Sequence, residues 1–168
     1  MVYSPVYNAL HQRRIVLFSV VWLLGLVMGT LMAAKADLSF LSGMPAVLNG
    51  RSSIVVPLLT AALPFGIAAY AALIDRYIFL YLAAGGKAAV SALCGYLLVR
   101  AFGGAGWLVQ PMWQFTDLAC SAVFCWFCFR CIIGGGNRKR DMILSFLLCL
   151  LALILDFLVV SPFLETLI

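Results

Sequence analysis

His11-Gln12-Arg13-Arg14 is followed by Ile15-Val16-Leu17-Phe18-Ser19-Val20-Val21-Trp22-Leu23-Leu24-Gly25-Leu26-Val27-Met28-Gly29-Thr30-Leu31-Met32-Ala33-Ala34, and this stretch decides the fold. A helix rises 1.5 Å per residue, so a run of this length reaches about 30 Å, the thickness of a bilayer's hydrocarbon core. No Asp, Glu, Lys or Arg interrupts it. It reads as a membrane span entered from a basic flank. A cleaved signal peptide would offer the small-x-small pattern Ala34-Lys35-Ala36 before Asp37, but its apolar segment is shorter, about 7–15 residues. Retention of the span is expected.

Working outward, the rest of the chain repeats this pattern. With 65% apolar and 10% charged residues, it falls far from soluble domains, which carry about 25% charge. The excess apolar surface has to face lipid. The long runs predict an all-α, polytopic bundle of about five transmembrane helices in one integral membrane domain, 1–168. The spans are placed at 15–34, 54–76, 87–102, 117–133 and 142–160. Pro57 falls in the first turn of the second span, where its missing N–H costs nothing, while Pro64 lies inside and predicts a kink near Leu63.

Residues 75–104 are the hardest to place. The simplest reading continues the second helix past Asp75-Arg76, with Tyr77 and Tyr81 at the interface. The chain then turns at Gly85-Gly86, and Lys87 opens the third span. A re-entrant pair of half-helices is the other reading.

Orientation follows from the basic islands. Lys and Arg flanking spans favour the cytoplasmic side. Arg13, Arg14, Arg138, Lys139 and Arg140 therefore set the topology, with the N-terminus cytoplasmic and the C-terminus outside, in a multi-pass membrane protein. Because the positive charge flanks spans, nucleic acid is not an expected partner. Membrane lipid and other membrane proteins are.

Cys120, Cys125, Cys128 and Cys131 read C-x4-C-x2-C-x2-C, spacings that occur in iron–sulfur proteins. The residues between them (Ala122, Val123, Phe124, Trp126, Phe127, Phe129) favour a lipid-embedded helix. There the thiols spread along a stripe rather than converge, so packing is the expected role. The chain lacks the phosphate-loop, zinc-protease, nucleophile-elbow and EF-hand signatures, and His11 is the single histidine. No enzymatic activity, cofactor or metal is expected. Gly25-x-x-x-Gly29, extended by Ala33, is a small-residue ridge that lets spans pack closely.

Charges in spans are functional candidates by default. Asp75, Arg76, Lys87, Arg100, Asp117 and Arg130 are expected near span ends. Asp156 reads as the deepest charge, pairing with Arg100 or meeting polar groups of the outer loops, with a proton or ion pathway as the alternative to a structural ion pair.

The chain resembles the stage II sporulation protein M family. The similarity runs through Arg14-Ile15-Val16-Leu17-Phe18 and Leu24-Gly25-Leu26-Val27-Met28-Gly29-Thr30. It resumes at a Pro-containing second span, Gly86-Lys87 and Gly95-Tyr96. The family's Lys-Gly-aromatic run is replaced by Lys87-Ala88-Ala89, and its Pro-Asn pair by Gln110-Pro111-Met112. The resemblance implies a non-enzymatic scaffold that anchors or localises peptidoglycan hydrolases during sporulation and engulfment. The alternative is a small-solute permease or the membrane subunit of a multi-component transporter, which would need a polar cavity between spans.

Overall fold

The computed structural model describes residues 5–36, 55–74, 76–103, 114–134, 137–160 and 162, with side chains described outside 5–10, 55–61 and Phe102. Among the described residues five helices form the bundle: α1 (Pro5–Ala34), α2 (Val55–Leu73), α3 (Tyr77–Phe102), α4 (Phe115–Ile133) and α5 (Arg138–Leu155). A π-helical turn, Asp156–Val160, extends α5. No strand occurs among the described residues. The segments carrying Asp37, Arg51, Asp75, Trp107, Trp113 and Glu165 lie outside them.

Successive helices alternate in direction. His11 Nδ1 donates to the Ile132 carbonyl at 2.9 Å, the Arg14 guanidinium lies 4.5 Å from the Tyr77 ring centroid, and Arg138 donates to the Ala72 carbonyl at 2.8 Å. These contacts gather the starts of α1, α3 and α5 with the ends of α2 and α4 at one basic end. Gly134, in the left-handed region with φ 69°, closes α4 there by returning its N–H to the Arg130 carbonyl. Asn137 opens α5 by accepting from the N–H groups of Lys139 and Arg140.

The apolar core fills the half of the bundle nearest that end. Phe18 of α1, Ala68 and Ala71 of α2, Leu80 and Ala84 of α3, and Phe124, Phe127 and Ile132 of α4 form one buried cluster. Phe65 meets Phe124 edge to face at a centroid separation of 5.3 Å. Outside this core, α1 exposes Leu23, Leu24, Met28 and Met32, α5 exposes Leu147 and Leu151, and the π-helical turn exposes Leu158. Large apolar patches of this kind are not stable against water but suit lipid.

Two sequence expectations need correction. The second helix ends at Leu73, with the Ile74 N–H closing onto the Tyr70 carbonyl, and does not run through Arg76. The chain also does not turn at Gly85-Gly86. A single 26-residue helix, α3, runs from Tyr77 through both glycines, so the third span starts ten residues before Lys87 and no re-entrant pair forms. The physical reason lies in the partner helix. A Cβ on Gly25 would come 2.3 Å from the Gly85 carbonyl oxygen, and one on Gly29 would come 2.1 Å from that of Ala89. The glycines let α1 and α3 meet backbone to backbone, which offsets their weak helix propensity of about 1 kcal/mol each. The break falls instead between Leu73 and Tyr77, which leaves the exposed Arg76 at the basic end of the bundle.

Candidate functional site: an ion pair inside the bundle

Lys87 lies ten residues beyond Tyr77, about 15 Å along α3, in the part of the bundle beyond the apolar core. Its side chain is only 3% exposed. An ammonium placed alone at such depth costs at least about 2.5–3.5 kcal/mol. Here it donates to Oδ1 of Asp117, and Ser91 donates through its hydroxyl to Oδ2 of the same carboxylate. Lys87 and Ser91 stand four residues apart on α3, so one helix face delivers both donors. Asp117 sits in the first turn of α4, where the helix dipole favours a negative charge.

Further polar groups surround this centre. Gln114, 7% exposed, donates through its side-chain amide to the Ser91 carbonyl at 3.5 Å. Ser121 folds back onto the Asp117 carbonyl at 2.6 Å. The Thr116 hydroxyl is buried and has no hydrogen-bond partner among the described residues. The Asp117 side chain is 24% exposed, so the carboxylate rather than the lysine faces the opening of the site.

Arg100 and Asp156 do not form the expected pair. The Arg100 guanidinium instead donates to the carbonyls of Ala33, Ala34 and Ala36 at 2.9, 3.3 and 3.2 Å. It occupies the carbonyl groups that the end of α1 leaves without helical partners. Asp156 is buried at the start of the π-helical turn, near the end of its helix, whereas Lys87 is buried well inside α3. Gly25, Gly29 and Ala33 are all buried, and both glycines press on α3. At the basic end, Arg130 pairs with the buried Asp141 at 3.2 Å, and Arg140 approaches the same carboxylate at 4.0 Å.

The cysteines divide between two clusters. Cys128 and Cys131 sit in the main core, while Cys120 packs on Cys149 of α5 beside Ala152. Among the described residues no group of three His, Cys, Asp or Glu is placed to hold a metal.

Two open grooves are apolar. One of about 420 Å³ runs between α2 and α5 past Phe65, Gly66, Phe146 and Cys149. Another of about 530 Å³ runs between α2 and α3 past Pro64, Ile67, Phe79 and Gly86.

The Lys87–Asp117 pair is not evident from the sequence, because Gly85-Gly86 is locally a turn signal that sets Lys87 at a span end. The available signal was the continuous apolar character from Tyr77 to Phe102, with Lys87 and Ser91 four residues apart inside it. The helices α1, α3, α4 and α5 with its extension are each long and apolar enough to cross a membrane, and Ala62–Leu73 of α2 is a shorter apolar helix. This is consistent with a multi-pass membrane protein. The chain matches no protein-family model, and no curated protein or solved structure matches it either.

Proposed function

We propose that the protein is a non-enzymatic membrane scaffold. The observation that carries this reading is the closure of the Lys87–Asp117 centre. Both carboxylate oxygens of Asp117 are engaged, and the lysine is buried. Such a centre acts as a fixed joint between α3 and α4, as a rigid platform needs. Replacing either partner alone would leave a buried charge uncompensated, which holds the two helices in one register. The resemblance to the stage II sporulation protein M family supplies the partner class. The scaffold would anchor or localise peptidoglycan hydrolases in a sporulation- or engulfment-type complex of a bacterial cytoplasmic membrane, and the hydrolysis would belong to those partners.

One observation favours the second reading, a permease or transporter subunit. A lysine and a carboxylate meet inside the spans, with the carboxylate partly accessible and the buried Thr116 hydroxyl next to it in sequence. Intramembrane charges of this kind line substrate and ion routes in transporters.

Affinity purification of the tagged full chain from its native membrane tests the two. Recovery of wall hydrolases supports the scaffold. Recovery of an ATPase pair, or solute uptake into vesicles that is lost in Lys87→Met, would replace it with transport.

A further inference from the structure

The cations at the basic end are not used alike. Arg14 lies over the Tyr77 ring, Arg138 holds the Ala72 carbonyl, and Arg130 and Arg140 face Asp141. Arg13, Arg76 and Lys139 are exposed, and their side chains have no partner among the described residues. Arg13 also differs in what lies beneath it. Gln12, Arg13, Val16, Leu17 and Val20 line one shallow groove of about 480 Å³ on the outward face of α1. Val16 and Leu17 are 61% and 48% exposed, so the apolar floor of the groove is open to the bilayer.

We infer that this groove is a binding site for an anionic phospholipid. The Arg13 guanidinium and Gln12 amide take the headgroup phosphate, since both offer N–H donors and Arg meets phosphate through two parallel hydrogen bonds. Val16, Leu17 and Val20, at helical spacings of one, three and four residues, take the first part of an acyl chain. Arg76 and Lys139, at the heads of α3 and α5, add positive potential at the same end of the bundle and draw anionic lipid towards it. The neighbouring Arg14 cannot serve in the same way, because the Tyr77 ring already holds its guanidinium against α3. The site therefore rests on Arg13, and a zwitterionic lipid, whose own ammonium offsets its phosphate, gains much less from it. This inference is independent of whether the bundle is a scaffold or a transporter subunit.

The test uses the purified full chain in a neutral detergent, with equal amounts of phosphatidylglycerol and phosphatidylcholine, and counts retained lipids by native mass spectrometry. Wild type should retain phosphatidylglycerol preferentially, and added salt should weaken that preference. Arg13→Gln should reduce the preference about fivefold, the effect of removing one basic contact near a lipid surface. Lys35→Gln, at the opposite end of α1, should leave it unchanged, and both variants should melt with the wild type because both side chains are exposed. Equal retention of the two lipids by wild type, or an undiminished preference in Arg13→Gln, would overturn the inference.

Discussion

Lys87 and Asp117 stand thirty residues apart in the chain and meet as an ion pair between α3 and α4, with Ser91 donating to the second carboxylate oxygen. Removing either charge alone leaves the other buried without its counter-charge. Lys87→Met and Asp117→Asn are each expected to destabilise the bundle by about 3–5 kcal/mol, the range for breaking a buried pair. Lys87→Met should fall at the lower end because the carboxylate it leaves behind is partly exposed, whereas Asp117→Asn strands the buried lysine. The double variant should cost clearly less than the sum of the singles. A double-mutant cycle on unfolding in micelles measures the coupling, and additive losses would contradict a direct pair.

The glycines make opposite predictions according to what faces them. Gly25→Ala and Gly29→Ala place a methyl group against α3 backbone that cannot yield, so both should lower the melting temperature and separate α1 from α3. Gly66→Ala and Gly86→Ala meet nothing within 4 Å. They should leave stability unchanged or raise it by up to about 1 kcal/mol through helix propensity. Thermal melts of the four variants provide the comparison.

Arg100 closes the end of α1. Arg100→Ala should release the carbonyls of Ala33, Ala34 and Ala36 and fray the last turn. Hydrogen exchange at the Lys35 and Ala36 amides, which bond back to Met32 and Ala33, should then quicken. The expected stability loss is about 1.5–3 kcal/mol, the range for hydrogen bonds to a charged group.

Asn137 accepts two N–H groups at the start of α5. Asn137→Ala should cost about 1 kcal/mol and Asn137→Asp little, because a carboxylate accepts the same bonds and suits the helix dipole. Chemical denaturation of the three forms would detect the difference, and equal losses in both variants would rule out a capping role.

The basic residues at one end of the bundle predict its orientation. A C-terminal reporter active only in the cytoplasm should be silent, and one fused at the N-terminus should be active. The reverse pattern would invert the topology.

The sequence alone was enough to establish the class of protein. Apolar runs of spanning length between charge islands admit a helical membrane bundle and little else, because lipid forces every backbone N–H and C=O to find its partner within a helix. The start of α4 near Asp117 and the end of α1 at Ala34 were legible in the same way, since each falls where apolar character gives way to charge, whereas α5 starts at Arg138, four residues before the expected Met142. Two things were left to the tertiary structure. Gly85-Gly86 is locally a turn signal, and only the packing of α1, where Gly25 meets the Gly85 carbonyl, accounts for it as the middle of a helix. Lys87 is locally an interfacial charge, and only Asp117, delivered by a different helix, lets it stay buried. Local pattern registers what a residue prefers by itself. Whether a glycine packs or a charge is neutralised depends on the facing helix, and that partner is set by the fold.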